Sequence, residues 1–276
     1  MKKVILLLLF VLSVDSLHSK EKPSLSVRLL FPFSETITNE YADNTIKVSF
    51  DVSEKALFVK IYNKTSNRIN IEWENFRIDD SAIAFDTDRR LKMDEPKADE
   101  VVFPKSYSTH NNLIPKKAIE DSYIDGWWKI DKIGKMGEQF TKIIIPIRVN
   151  NANKDYVFQI GVACMVDGVR TKVNIPNQEK VDSICEGMKY EDVLSIIGYP
   201  IFFTQTGRTF TAHYFNGLSV EFQVALKIHA ELLSHYWTPN TINIGLAGRK
   251  KTIVTKIDRS QMHNLSPEQY YRELYE

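Results

Sequence analysis

The sequence lacks an apolar run long enough to cross a membrane. Its longest uninterrupted apolar run, Val4–Leu12, has nine residues, whereas a membrane-spanning helix needs about 20. Two lysines precede this run, and small or polar residues follow it up to position 19. Because this order is typical of a secretory signal peptide, we expect cleavage after Ser16 or Ser19. The mature protein is then periplasmic or secreted and has no transmembrane segment.

Cysteine is scarce, with two residues in the whole sequence. The first is Cys164, so no cysteine stands at the end of the signal peptide, and we expect no N-terminal lipid anchor. Two cysteines in an exported protein are compatible with a disulfide. However, alternation places Cys164 on the apolar face of a strand, and helical spacing places Cys185 in the apolar stripe of a helix. Two buried thiols in separate cores are therefore the alternative that we favour.

Neither sign of charge is in clear excess. The chain has 36 Lys and Arg against 35 Asp and Glu, and removal of residues 1–19 leaves 34 of each. A balanced charge exerts no long-range attraction on phosphate groups. We therefore expect no nucleic-acid partner and no long-range attraction to anionic lipid.

Several motifs that carry chemistry are also absent. The sequence has no H-E-x-x-H, G-x-S-x-G, G-x-x-x-x-G-K-[ST] or G-x-G-x-x-G, which excludes the commonest metalloprotease, hydrolase, P-loop and dinucleotide-binding proteins. The acidic residues between Asp79 and Glu100 alternate with lysine and arginine, which favours a solvated charged loop over a Ca²⁺ site. We expect no cofactor and no metal, since the histidines His110, His213, His229 and His235 are scattered along the sequence.

The first half of the chain has the alternation of apolar and polar residues that is typical of β-strands. Short strands of this kind with frequent turns indicate a β-sandwich. Pro146 suggests that its strand is an edge strand or contains a bulge. Residues 86–142 are poorly patterned, and we interpret them as long loops with a few short strands. The predicted strands are Ile46–Val52, Leu57–Ile61, Ile69–Trp73, Ile143–Val149 and Tyr156–Val166.

After Pro176 the apolar residues follow helical spacing instead. One predicted helix contains Val181, and a second runs from Tyr190 to Gly198, with Pro200 preventing its continuation. Strands are expected at Phe210–Tyr214, Leu218–Phe222 and Thr252–Ile257, whereas Val224–Trp237 fits a helix or a strand. The predicted organisation is a signal peptide (1–19), a β-sandwich domain (20–172), a small α+β domain (178–260) and a terminal helix or tail (261–276).

The run Gly187–Pro200 resembles the central motif of the BamE (SmpA/OmlA) family. In that family a Gly-Met pair precedes a helix that carries a valine, ends in an aliphatic residue and glycine, and is followed one residue later by proline. The resemblance implies two helices followed by an antiparallel sheet over about residues 178–260. Members belong to the outer-membrane barrel assembly machinery. Their fold is similar to that of secreted β-lactamase inhibitor proteins, which implies a protein-binding domain.

The N-terminal half resembles the immunoglobulin-like sandwiches of exported bacterial proteins, on the strength of Asn63-Lys-Thr ahead of the Ile69–Trp73 strand. The fold class expected is therefore mostly β, with an immunoglobulin-like β-sandwich followed by a small α+β domain of two helices and an antiparallel sheet.

Tyr123, Trp127 and Trp128 form the aromatic cluster that we consider for binding. Adjacent residues in a strand point to opposite faces, so one tryptophan at most is needed for the core. The other would be available as an anchor, since large aromatic residues are enriched at binding hot spots; the alternative is that both cover one side of the sandwich. We expect a non-enzymatic envelope protein that binds another protein or an envelope component. The alternative is a hydrolase that acts on glycans through a pair of carboxylates.

Overall fold

The structure is a computed structural model that describes residues 22–34, 36–85, 97–116, 128, 130–150, 152–206, 209–224 and 252–276. Strand outweighs helix in it, which confirms the prediction of a mostly β protein. The helices are α1 (Ile130–Met136), α2 (Gln178–Asp182), α3 (Tyr190–Ile197) and α4 (Pro267–Tyr275), and a short 3-10 helix spans Trp73–Asn75. Among the residues described, no helix is long and apolar enough to span a membrane.

In the described residues, twelve strands form one large antiparallel sheet. The strands are β1 (Ser24–Phe31), β2 (Glu40–Ala42), β3 (Ile46–Val52), β4 (Leu57–Asn63), β5 (Ile69–Ile71), β6 (Arg77–Ile78), β7 (Ser81–Phe85), β8 (Glu100–Val102), β9 (Tyr107–Pro115), β10 (Glu138–Val149), β11 (Ala152–Val166) and β12 (Val169–Arg170). The main path of the sheet runs β1-β11-β10-β6-β7-β9-β4-β3-β2, while β12 pairs with β11 and β5 joins β10 to β8.

The two ends of this path pack face to face. Alternate residues of β3 and β11 are buried in one apolar cluster, as the period-two pattern predicts. The ring of Phe50 in β3 lies 5.0 Å from that of Phe158 in β11, and the ring of Tyr41 lies 5.4 Å from Phe158. The core of the large sheet therefore lies between β2-β3-β4 on one side and β10-β11 on the other.

Pro146 does not mark an edge strand, because β10 has neighbours on both sides. Its carbonyl oxygen accepts a hydrogen bond from Glu72 N at 3.1 Å. In an antiparallel strand the N–H and C=O of one residue point the same way, so the missing N–H of Pro146 faces the point where β5 gives way to the 3-10 helix. The proline is tolerated there because the carbonyl oxygen of Glu72 accepts a hydrogen bond from Asn75 N, at 3.0 Å, and does not need a donor from position 146.

The interpretation of residues 86–142 as mainly loop is wrong for its described part. β9 is a nine-residue strand inside the sheet, and β10 begins at Glu138 rather than at Ile143. Strand β1, at the edge of the sheet, was also not predicted. The alternation of apolar and polar residues does not indicate β9, because two of its inward positions hold polar residues. These are Ser108, which is buried, and His110, which is half-buried.

The second sheet contains β13 (Phe202–Thr206), β14 (Thr209–His213), β15 (Ser219–Val224) and β16 (Thr252–Asp258), in that order and antiparallel. Helices α2 and α3 precede it, and Val193 and Ile197 of α3 are buried against its apolar face. Gly198 ends α3 with a φ of 76°, which glycine adopts without strain. Asn177 caps α2 by accepting a hydrogen bond from Lys180 N. The segment Val224–Trp237 lies almost wholly outside the described residues.

The prediction of two buried thiols is right for Cys164 and wrong for Cys185. Both cysteines are free, but Cys185 is exposed. Helix α2 ends at Asp182, so Cys185 lies beyond the helix that would have turned it toward the core. The disulfide that the sequence left open is not present.

Helix α4 contacts both sheets. Tyr271 packs against Phe140 of β10 at 5.6 Å and against Phe215, in the turn after β14, at 6.3 Å between ring centroids. Glu268 forms an ion pair with Arg28 of β1. Of the two possibilities left open for this region, a helix is therefore present, and a capping box at Ser266 begins it.

Candidate functional site

The predicted aromatic cluster is only partly described. Trp128 is fully buried in the core of the large sheet, and its backbone N–H donates to Glu54 O at 2.9 Å. It therefore belongs to the core and offers no exposed binding surface. Tyr123 and Trp127 lie outside the described residues, so their role as anchors stays a prediction.

The acidic and histidine candidates can be assessed only in part. Among the residues that the structure describes, no group of three or more His, Cys, Asp or Glu could hold a metal ion. Asp79 and Asp80 form the turn between β6 and β7, both with positive φ. Residues 86–96 of the charged segment lie outside the described parts of the chain, as do His229 and His235.

A different surface is built around Asn63, whose side chain is fully buried at the end of β4. Its Nδ2 donates to Asn67 O at 2.7 Å and to Val102 O at 3.0 Å, and its Oδ1 accepts from Thr65 N at 2.9 Å. Its backbone N–H donates to Ser106 O, at 3.0 Å. Asn63 thus connects the turn after β4 to the turn between β8 and β9, although Asn63 and Val102 are 39 positions apart in the sequence.

Aromatic and cationic side chains share the outer face beside this junction. Tyr62 and Tyr107 are directly opposite each other on β4 and β9, with ring centroids 4.6 Å apart. Lys60 is diagonal to Tyr107 on the same face, where side chains are within reach of each other. Its ammonium nitrogen lies 4.2 Å from the centre of the Tyr107 ring, which is the geometry of a cation–π contact.

A second pair of this kind lies at the turns themselves. The guanidinium carbon of Arg68 is 4.8 Å from the centre of the Phe103 ring. Phe103 is 53% exposed and Tyr107 is 57% exposed. Lys105 follows Phe103 in the same turn, and its ammonium donates to Lys64 O. We call this set the basic aromatic surface; it comprises Lys60, Tyr62, Arg68, Phe103, Lys105 and Tyr107.

Within the described residues, the cations of the basic aromatic surface have no carboxylate at ion-pair distance. No Asp or Glu occurs in residues 55–71 or in residues 101–119. Lys60, Arg68 and Lys105 form no ion pair with any described carboxylate. Lys47 on neighbouring β3 is different, because Glu40 lies 2.8 Å from its ammonium and raises its pKa. The surface therefore carries at least three positive charges that are not neutralised within the described chain.

A polar cluster lies between the layers near β8. Glu100 Oε2 contacts His110 Nε2 at 2.7 Å and accepts a hydrogen bond from Trp73 Nε1 at 3.1 Å. An imidazole paired with a carboxylate is a unit that activates nucleophiles in enzymes. Here, however, the indole of Trp73 shares the same carboxylate oxygen, and its ring lies 4.3 Å from that of His110. This arrangement suits the attachment of β8 and β9 to the 3-10 helix.

Two further carboxylates contact one arginine. Glu72 and Asp99 both contact the guanidinium of Arg148, at 3.4 Å and 2.9 Å. Glu72 directly follows β5, Asp99 directly precedes β8, and Arg148 lies in β10. The two ion pairs therefore join the ends of β5 and β8 to β10.

Two stretches of the sequence without Asp or Glu indicate the basic aromatic surface. The total charge is balanced, but the two acid-free stretches carry lysines and an arginine among aromatic residues. Their pairing in space depends on the β4–β9 register and on Asn63, and neither can be read from composition.

Comparison with protein-family models finds no match to this chain, and neither the curated proteins nor the solved structures give one.

Proposed function

We propose that this protein is an exported, non-enzymatic envelope protein that binds an anionic partner through the basic aromatic surface. The observation that carries the proposal is a set of three cations around exposed aromatic rings. Lys60, Arg68 and Lys105 form no ion pair with any carboxylate in the described part of the chain. Arginine and aromatic residues are enriched where proteins bind partners. A cation that contacts a ring can exchange water for an anionic group without losing the ring contact.

The proposal includes the domain organisation expected from the sequence. The large sheet would be an immunoglobulin-like sandwich and residues 178–260 a BamE-like domain. Support comes from the order of two helices followed by an antiparallel sheet, and from the two separate apolar cores. Because fold alone does not fix function, the binding role rests on the surface and not on this resemblance.

Site-specific photo-cross-linking in the native cell tests the binding role. A benzophenone amino acid replaces Tyr107 in the basic aromatic surface and, as the matched control, Val169, which is 68% exposed on the β11–β12 hairpin. We expect an adduct from position 107 alone. The triple variant Lys60→Gln, Arg68→Gln, Lys105→Gln should lose it, since the charges that hold an anionic partner are gone. Equal adducts at both positions, or no effect of the triple variant, would contradict the proposal.

Export is tested separately by the amino terminus of the natively expressed protein. Mass spectrometry should find it between Leu17 and Lys22, because cleavage is expected after Ser16 or Ser19. An intact Met1 on cytoplasmic protein would rule export out.

A further inference from the structure

We infer that the basic aromatic surface docks on the anionic headgroups of a lipid membrane. The inference rests on the proposed function, because it names the class of anionic partner that the same surface takes. Three features carry it: the local group of positive charges, the exposed apolar side chains at and beside a turn, and the hydrogen bonds that hold them in place.

The three cations of the surface lie close together in the fold, and no described carboxylate forms an ion pair with them. Lys60 is on the outer face of β4, and Arg68 and Lys105 are in the two turns that Asn63 holds together. A planar anionic surface attracts such a local group of positive charges, although the whole chain has a net charge of only +1. The balanced total does not reveal this local excess.

Apolar side chains stand among these cations. Val101 is 46% exposed, and Phe103 lies immediately before the turn at Pro104–Lys105. An isolated apolar ring at a turn has little to pack against in water but can enter the boundary between headgroups and acyl chains. Lysine and arginine beside it keep their stems along apolar surface and their charges at the headgroups. Tyr107, with an apolar ring and a polar hydroxyl, is suited to the same boundary.

The frame around Asn63 keeps this tip in place. The bonds from Asn63 to Asn67, Val102 and Ser106 hold both turns together, so little order remains to be imposed on binding. The surface thus offers charges and exposed rings, which fit a fluid layer of phosphate headgroups better than an ordered acidic peptide.

Vesicle flotation with the purified protein tests this inference. The probes are vesicles of phosphatidylcholine alone and vesicles of equal parts phosphatidylcholine and phosphatidylglycerol, at low and at high salt. We expect flotation with the anionic vesicles only, and less of it at high salt because salt screens the attraction. The protein and its variants share one amino terminus, so differences between them report on the surface.

The triple variant Lys60→Gln, Arg68→Gln, Lys105→Gln should lower the vesicle partition coefficient by about tenfold or more, since each cation near an anionic surface contributes separately. The matched control neutralises three exposed lysines elsewhere and so has the same net charge. It carries Lys135→Gln, Lys180→Gln and Lys256→Gln. It should bind within about twofold of wild type, because its charges lie outside the surface. Equal losses in the two triple variants would show a general charge effect and overturn the inference.

Insertion of the turn is measured with a tryptophan probe. Phe103→Trp should be quenched by lipids brominated along their acyl chains when anionic vesicles are added. Phe33→Trp is the control, because Phe33 is also exposed and also lies under an arginine, Arg272, at 5.3 Å. Quenching at position 33 but not at position 103 would overturn the inference.

The lipid inference and the proposed function can fail separately. If anionic vesicles do not float the protein but a protein adduct forms specifically at position 107 and depends on the three cations, the surface binds an acidic polypeptide. The inference is then wrong and the proposed function stands. If neither vesicles nor a specific adduct respond to the three cations, both are wrong.

Discussion

Glu138 shows how one residue determines its surroundings. Its side chain is 1% exposed, and its carboxylate is held by Arg28 at 2.7 Å and by Arg170 at 2.8 Å. Arg28 is directly opposite Gly161 on the neighbouring strand, and Arg170 also donates to Gly161 O at 2.7 Å. A buried carboxylate is tolerated when its oxygens are paired in this way. Glycine at position 161 leaves the space that the carboxylate occupies.

Gly161→Ala should therefore destabilise the protein. The added Cβ would collide with the carboxylate of Glu138, and overpacking of this kind costs about 1 to 3 kcal/mol. Urea denaturation followed by tryptophan fluorescence measures it.

Gly134→Ala is the matched control, because nothing lies within 4 Å of the added atom in α1. It should stabilise the protein by about 1 kcal/mol at most, as alanine is the better helix former. If Gly161→Ala were as harmless as Gly134→Ala, Glu138 would not occupy the position described.

Because His213 is partly buried, the stability of the second sheet should depend on pH. Burial lowers its pKa below 6.5, and its two ring nitrogens contact Thr204 Oγ1 at 2.8 Å and Ser219 Oγ at 3.0 Å. Between 6.5 and the lower folded pKa the unfolded chain binds more protons than the folded one. The second sheet should thus keep its full stability above pH 6.5 and lose stability as the pH falls through this window.

Hydrogen exchange of β14 and β15 at pH 7 and pH 5 measures this loss. His213→Gln keeps hydrogen-bonding groups without the titration and should lose less protection than wild type over the same interval. The effect of Asp258 on stability can be told apart from that of His213. The pKa of Asp258 lies below 3.8, so its contribution to stability is lost only in stronger acid. An unchanged pH response in His213→Gln would show that another group is responsible.

At the scale of elements, local patterns in the sequence predicted the strands and helices whose buried residues are regularly spaced. Alternation located β3, β4 and β11, and helical spacing with Gly198 and Pro200 located α3. Prediction from these patterns failed where the inward face of a strand is polar, as at Ser108 in β9. It also failed where a helix stops early, as α2 does before Cys185. Both failures have one cause, since burial in these places depends on tertiary neighbours that a periodic pattern does not contain.

The helix α3 gives the clearest test at this scale. Val193→Asp should unfold the second sheet while the large sheet survives, because an unpaired charge in an apolar core costs several kcal/mol. Ser195→Asp places the same group on the exposed side of α3 and should have little effect. Circular dichroism and hydrogen exchange of β14 separate the two variants. Equal melting of both would mean that Val193 is not buried.

At the scale of the whole molecule, the basic aromatic surface could not have been predicted from the sequence. Lys60 and Tyr107 are 47 positions apart in the sequence, and they meet because β4 and β9 are neighbours in the sheet. The adjacent tryptophans, which the sequence pattern favours as a binding site, include Trp128, which is buried. Aromatic residues that are adjacent in the sequence therefore indicate a binding surface less well than cations that form no ion pair in the folded sheet.

Helix α4 packs against both sheets through Tyr271. Tyr271 lies between Phe140 of the large sheet and Phe215 of the small one, and burial raises its pKa far above the ordinary value. Tyr271→Ala should cost about 1 to 3 kcal/mol and should weaken protection from hydrogen exchange on both sides, in β1 and β10 and in the turn at Phe215.

Leu274→Ala is the control on the same helix, because Leu274 is 57% exposed and its truncation removes little buried contact. It should leave exchange unchanged in both sheets. If Tyr271→Ala raised exchange only within α4, the helix would be a passive appendage. If exchange rises in both sheets, the C-terminal helix carries part of the stability of each, because one ring fills space that neither sheet closes alone.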